Sequence, residues 1–341
     1  MLRFILVCLV LLLRSAVGLL PPPSPPLAID GFDGTSTLAA YVGAFSATHV
    51  GLSAVRDTFI DGFGRSAGKL GLVGNDGWTL PQVWLGDGSS KDTITGRERL
   101  FPDEATAGRQ IFRIFYSLVA AATLGGAFEA FGEIQRSSPV LPFLEPVTRS
   151  SGAYAVLYFV AAAAQGISLT SLVNPSPLSL VPGFQADPDA PLQLKRDDSL
   201  KLRPYGLTRI TRHPLILPVV PWGVANACLS GGRVADVVLF VGLAIYALVG
   251  CYAQDKRAAA AAEVGTVFAK GDLTEFYADT SFLPFAAIID GRQQSPLGSS
   301  GTDGEETNEK GWLFREVPWA YLTGGIAAGA VLEAATLRAI A

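Results

Sequence analysis

Apolar runs of membrane-spanning length, separated by polar or proline-rich connections, recur along this chain and set its architecture. A hydrocarbon core about 30 Å thick takes roughly 20 apolar residues of helix to cross. Six segments approach that length: 36–55, 109–131, 151–173, 214–229, 234–253 and 317–340. The fourth is short and carries Pro214, Pro218 and Pro221, which predicts a kinked or partly unwound span. The last contains Gly324-Gly325-Ile326-Ala327-Ala328-Gly329, small residues that let a neighbouring helix approach closely. The fold class expected is all-α, a polytopic membrane helix bundle of about six transmembrane helices.

The start of the chain has a different pattern. Arg3 precedes the apolar run 4–13, and Ser15-Ala16-Val17-Gly18 offers small residues for cleavage. Residues 1–20 therefore read as a signal or targeting segment, with a retained anchor as the alternative. A proline-rich linker over 21–35 stops any helix, and the membrane domain covers 36–341. Two parts of it look irregular. Residues 58–107 are rich in Gly, Asp and Ser around Trp78 and Trp84, an expected loop insertion. Residues 293–310 (QQSPLGSSGTDGEETNEK) are polar throughout, an expected flexible linker.

Composition agrees with a membrane domain. Of 341 residues, 49% are hydrophobic and only 16% charged, against about 25% charged in ordinary soluble domains. A net charge of −4 gives no basic footprint for nucleic acid. With six spans, 19 Lys and Arg fall in the connections of one side and 3 (Arg136, Arg149, Arg233) on the other. That bias follows the positive-inside rule and puts both ends of the membrane domain on the sparse side. The three cysteines, Cys8, Cys228 and Cys251, form no C-x-x-C and read as small buried hydrophobes. With only His49 and His213 in the chain, any mechanism needing three histidines is excluded.

Candidate chemistry is sparse. Residues 62–70 (GFGRSAGKL) imitate a phosphate loop, but Phe63 stands where the first glycine must be and Leu70 replaces the hydroxyl. His49 lies inside the first span, where an ionisable side chain marks a functional site by default and a neutral imidazole can bind iron. Gly51, two residues on, is expected to clear space beside it. Arg209, Arg212 and His213 sit where a loop enters the fourth span. Their simplest role is interfacial anchoring, and an anion-binding or catalytic role is the alternative. A third cluster is Asp255-Lys256-Arg257 with residues 280–292, whose apolar middle could be a re-entrant piece.

These segments carry a resemblance. Arg209-Ile210-Thr211-Arg212-His213-Pro214, opening a tryptophan-bearing helix before a span that ends in Asp255-Lys256-Arg257, resembles the NnrU family of membrane proteins. Residues 49–56, close to H-S-G-L-A-S-L-R, and 283–293 (LPFAAIIDGRQ) resemble its plant and algal branch, the 15-cis-zeta-carotene isomerases. The likeness covers about 36–56 and 108–341.

The resemblance implies heme b held between membrane helices by histidines, with redox-dependent isomerisation of the 15-cis double bond of a linear zeta-carotene. It further implies an integral plastid-membrane protein, and the signal-like start fits import in an alga with complex plastids. The substrate would be taken from the lipid bilayer, and the sequence names no electron donor. His49 matches one family heme ligand. The second belongs to W-x-x-A-H, which here is Trp222-Gly223-Val224-Ala225-Asn226, so Asn226 replaces the histidine and Gly223 a family cysteine. A further histidine of the plant enzyme has no counterpart in 124–132. Three alternatives follow: heme with His49 as its only axial ligand; His213, or more weakly Cys228, as the replacement; or a non-catalytic member of the fold without heme. A membrane methyltransferase using S-adenosylmethionine, in which R-H-P also occurs, is a third class.

Overall fold

The structure, a computed structural model, describes residues 33–73, 101, 103–179, 183–186, 192–260, 264–265, 270–271, 273–293 and 311–340. The expected signal segment, the prolines of the linker after it, Trp78, Trp84 and residues 294–310 lie outside the described residues.

Among the described residues, seven helices of more than ten residues build the domain. α1 (Gly34–Ala54) starts where the Asp33 carboxylate accepts from the Ser36 amide at 2.7 Å, supplying a partner to a first-turn N–H that has none within the helix. It breaks at Val55 into α2 (Arg56–Lys69), turned by 73°. α3 (Glu104–Ile134) is capped by Asp103 through the Thr106 amide at 2.6 Å. α4 (Ser151–Thr170) is capped by Ser150. α5 (Val219–Leu229) and α6 (Val234–Ala259) form a hairpin through Gly231 and Gly232, both at positive φ. A π-helical turn, Val237–Val241, interrupts α6. α7 is Trp319–Ile340. Among the described residues the only strands are two short antiparallel ladders in the connections, Phe184–Ala186 with Leu194–Arg196 and Val264–Gly265 with Lys270–Gly271.

The all-α membrane bundle is as expected, but with fewer long spans. Four helices, α3, α4, α6 and α7, are long and apolar enough to cross, and α1 with α2 makes a fifth if the bent pair counts as one. The fourth expected span shrinks to the 11 residues of α5, about 16 Å of helix. Proline is the reason. Residues 213–218 are wound into turns (Leu217 N–H to His213 O at 3.0 Å), and regular helix starts only at Val219. Pro221 falls in its first turn, where no backbone donor is required. Only the two ends of the expected irregular 58–107 are corrected: residues up to Lys69 belong to α2, whose Gly64 lies against the Glu104 carbonyl of α3, and 104–107 belong to α3, while 74–100 lie outside the described residues.

The bundle is apolar outside and closely packed within. Leu118, Val156, Phe159 and Val331 are each more than 60% exposed, a surface suited to lipid tails. Inside, Leu38, Phe45, Ala127, Leu239 and Phe240 form the main core. α4 and α7 run antiparallel through glycine contacts. A Cβ on Gly329 would lie 2.3 Å from the Ala162 carbonyl oxygen, and one on Gly166 2.6 Å from Ile326 Cα. At one end the 135–150 connection meets the α5–α6 turn through Leu141 N–H to Gly232 O at 2.9 Å. Arg136, Arg149 and Arg233 thus share an end. At the other end Arg257 donates to Ser53 Oγ at 2.6 Å, tying α6 to α1.

Candidate functional site

The motif residues at 209–214, 255 and 280–293 meet in one polar knot at the α6 C-terminal end. Arg209 grips Glu316 with two bonds, Nε to Oε2 at 2.7 Å and Nη2 to Oε1 at 2.9 Å, and donates through Nη1 to Gln293 Oε1 at 2.8 Å. Arg212 donates to Asp255 Oδ2 at 3.0 Å and to Thr280 Oγ1 and O, and lies 4.6 Å over the Tyr277 ring. His213 is 3% exposed, with Nε2 2.8 Å from Asp255 Oδ1. A carboxylate only accepts, so that nitrogen carries the hydrogen. Burial, followed by the Asp255 charge, pushes the Tyr277 phenol up beyond its ordinary pKa. The apolar 283–289 piece is strapped on by Phe285 N–H to Ile210 O at 2.9 Å. Local geometry here needs Gly206 at φ +54, whose Cβ position would be 2.6 Å from Asn174 Oδ1.

This knot answers the anion-binding reading of Arg209 and Arg212. Both guanidinium groups are taken by internal carboxylates, the part-buried Glu316 and the buried Asp255, so neither presents a free fork to an outside anion. The motif holds the 207–217 turn, the end of α6 and the 273–293 segment together.

His49 lies elsewhere, on α1 in a ring of aromatic side chains. Its ring centroid is 5.1 Å from Phe45, 4.2 Å from Tyr116 and 5.5 Å from Tyr246. Tyr116 Oη donates to the His49 carbonyl at 3.3 Å, while neither imidazole nitrogen has a hydrogen-bond partner among the described residues. Gly51 does not clear space for it. Two residues further round the helix, Gly51 faces outward, where an added Cβ meets nothing within 4 Å.

A third site contains Asn226. The side chains of Asn226 and of Glu333 on α7 are both fully buried. Glu333 Oε2 accepts from Gln165 Nε2 at 2.6 Å and from Trp222 Nε1 at 3.2 Å. Asn226 Nδ2 donates to the Trp222 carbonyl at 3.1 Å. Among the described residues Asn226 Oδ1 and Glu333 Oε1 have no hydrogen-bond partner. Glu333 is absent from the candidates above, although a lone acid in an otherwise apolar span is a signal in the sequence. Gln165, Tyr116 and Tyr246 gave no such signal.

The donor set can be tested against the heme that the resemblance implies. Two nitrogens ligating one iron from opposite sides must face each other across it. Asp255, which holds His213, follows Tyr246 by nine residues of α6, about 13 Å along and half a turn round from it. His213 is therefore on the far side of α6 from His49. Asn226 is no better placed. Gly223 packs on Phe240 and Ala244, and Asn226 lies a turn nearer the hairpin, roughly 10 Å along the axis from the Tyr246 level. Cys228, half-buried, feels the charge of Asp236 at the hairpin end. Among the described residues no three His, Cys, Asp or Glu side chains group as metal ligands. The residues fit an iron held by one imidazole, His49, and not a pair of axial ligands.

Apolar outer faces, long spans and a motif knot closing one end define a polytopic membrane protein whose bundle holds a histidine ringed by aromatic side chains. The chain matches the NnrU protein family over residues 96–332 and belongs to it. It is 38% identical over 108 residues to the chloroplastic 15-cis-zeta-carotene isomerase of Zea mays. That match covers 31% of this chain and 27% of the relative's own length. No solved structure matches.

Proposed function

We propose that this chain is a membrane isomerase acting on a cis double bond of a linear carotene, with zeta-carotene and its 15-cis bond as the specific substrate. The Zea mays relative supplies the reaction class, and the unpartnered His49 imidazole among Phe45, Tyr116 and Tyr246 is the observation that carries it to this chain. A long apolar polyene is insoluble in water, so it reaches the protein through the bilayer, along helices whose outer faces are already apolar. Cis–trans isomerisation changes no atom count and needs only a temporary loss of double-bond character. Heme b, held through His49, would supply an iron able to draw electron density reversibly from one double bond. The chain's own part is to present the imidazole, line the approach with aromatic rings and keep water out. A plastid membrane is the proposed location.

The test is the absorption spectrum of detergent-purified protein, oxidised and dithionite-reduced, beside a His49→Ala variant. A Soret band that shifts on reduction and is lost in the variant is expected, together with conversion of 15-cis-zeta-carotene followed by chromatography. Protein that shows no Soret shift after reconstitution with hemin, yet isomerises zeta-carotene, would keep the reaction and reject heme. Protein that does neither would leave a non-catalytic member of the fold.

A further inference from the structure

Residues 282–289 of the knot carry apolar side chains that the rest of the fold leaves uncovered. Leu283, Phe285 and Ile289 are 62%, 53% and 81% exposed, and Ile289 is the most exposed large hydrophobic residue among those described. Ile289 N–H bonds the Phe285 carbonyl at 2.9 Å, so these two lie one helical turn apart. Polar residues close the segment at both ends. Arg292 Nη1 donates to Ala278 O at 2.7 Å and to Thr280 O at 2.9 Å, and its Nη2 lies 3.3 Å from Asp290 Oδ2.

The backbone of this segment asks nothing of water. Every N–H from Phe285 to Arg292 has an acceptor within the protein. Two of these are amides that open the short turn Ala286–Ile289, where water ordinarily serves. Phe285 N–H goes instead to Ile210 O at 2.9 Å, and Ala287 N–H to Ser281 Oγ at 3.0 Å. Pro284 brings no N–H at all. Irregular backbone at membrane depth requires this internal satisfaction, whereas a loop in water does not. Phe285 also holds a left-handed conformation, φ +66, the only such residue other than glycine among those described. That conformation is strained for a bulky side chain, and a ring more than half exposed recovers little of the cost by packing inside the protein.

Its neighbours set the depth. Ile288 packs against the cluster of Leu207, Trp312 and Val317, which also takes in Leu322. Leu322 lies in the first turn of α7, a helix long and apolar enough to cross a membrane. Trp319, which opens α7, and Phe314 just before it are 44% and 54% exposed, aromatic side chains of the kind that mark a bilayer boundary. The uncovered surface of 283–289 thus continues the lipid-facing surface of the spans at the level where α7 enters.

We propose that residues 282–289 are an interfacial anchor, a turn that dips into the bilayer and returns on the side of the α6 C-terminal end. The partner is the lipid itself, with Leu283, Phe285 and Ile289 seated among headgroups and upper acyl chains and Asp290 and Arg292 at the water edge. A single helical turn is far shorter than the roughly 20 residues needed to cross. The anchor stands independently of the proposed isomerase activity.

Spin labels in phosphatidylcholine bilayers test this, on the full chain freed of its own cysteines and carrying Ile289→Cys or Leu283→Cys. Glu275→Cys, in an exposed turn of the same connection, is the water reference, and Val331→Cys, exposed midway along α7, is the lipid reference. The quantity read is relaxation by dissolved oxygen relative to a water-soluble nickel chelate. Ile289→Cys and Leu283→Cys should give a ratio severalfold above Glu275→Cys and below Val331→Cys. A ratio no higher than that of Glu275→Cys would overturn the proposal. So would labels shielded from both reagents, since a second copy or another protein would then cover the surface. Should the cysteine-free chain fail to fold, a photo-crosslinking phenylalanine at position 289 of the otherwise unaltered chain replaces the label. A lipid adduct is then expected, as at position 331, and a cross-linked dimer or no adduct rejects the anchor.

Discussion

Asp255, which in the sequence is one charge of a cluster closing the fifth apolar run, is a structural centre in the fold. It receives Arg212, His213 and Tyr277, which come from two other segments. Removing Arg212 would leave a carboxylate with 12% side-chain exposure short of its cation. Arg212→Met is therefore expected to destabilise the protein by roughly 3 kcal/mol, measured as a lowered melting midpoint in detergent with the His49 spectrum unchanged where the protein stays folded. A variant as stable as wild type would mean that the knot does not hold the fold. The motif residues were legible in the sequence, and their pairing was not. Charge and spacing at 209–213 permit interfacial anchoring or an anion-binding or catalytic role, and name no partner for either guanidinium. The choice depends on Glu316 and Asp255, each more than 40 residues away.

Among the elements, α4 and α7 depend on glycine differently at neighbouring positions. Gly329 has the Ala162 carbonyl against it, whereas a Cβ on Gly324 meets nothing within 4 Å. Gly329→Leu should cost about 1–3 kcal/mol or more through overpacking, and Gly324→Leu should leave the midpoint near wild type. Equal effects at both positions would show that close α4–α7 packing does not stabilise the bundle. α5 offers a second prediction. Asn226→His restores the family pattern, but on a helix face turned to Glu333 and Gln165. Protein loaded with heme should therefore keep a wild-type spectrum, with no second imidazole on the iron. A spectrum typical of two axial histidines would contradict the helix placement. The small-residue stripe could be read from sequence as a close contact, although which glycines touch depends on helix rotation. The prolines at 214, 218 and 221 announced an imperfect span, but not that helix would be confined to 11 residues.

At the scale of the whole molecule, the connections sort to two ends. Gly34 packs on Ile134, and Leu141 bonds Gly232, so the start of α1, the α3–α4 connection and the α5–α6 turn share one end. Arg257, Ser53 and the 273–293 segment gather at the other. In a chain freed of its own cysteines, a membrane-impermeant maleimide should reach a cysteine at Ser137 from one side and one at Asp290 only from the opposite side. Labelling of both from the same side would refute the arrangement. The Lys and Arg bias had already divided the connections in this way, because charge is tallied along the chain and needs no coordinates.

What the sequence determined by itself was the solvent, the fold class and the family-like motifs, all carried by local composition: long apolar runs, few charges, and short strings such as 209–214 and 283–293. Tertiary structure decided the roles. It turned the chain by 73° after the first span into a second helix, committed Arg209 and Arg212 to internal carboxylates, left the His49 imidazole without a hydrogen-bond partner among the described residues, and set Asn226 beside Trp222 and Glu333 rather than opposite His49. Helix rotation and the partners a side chain finds across the bundle are properties of packing among distant segments, and no spacing within a single segment encodes them.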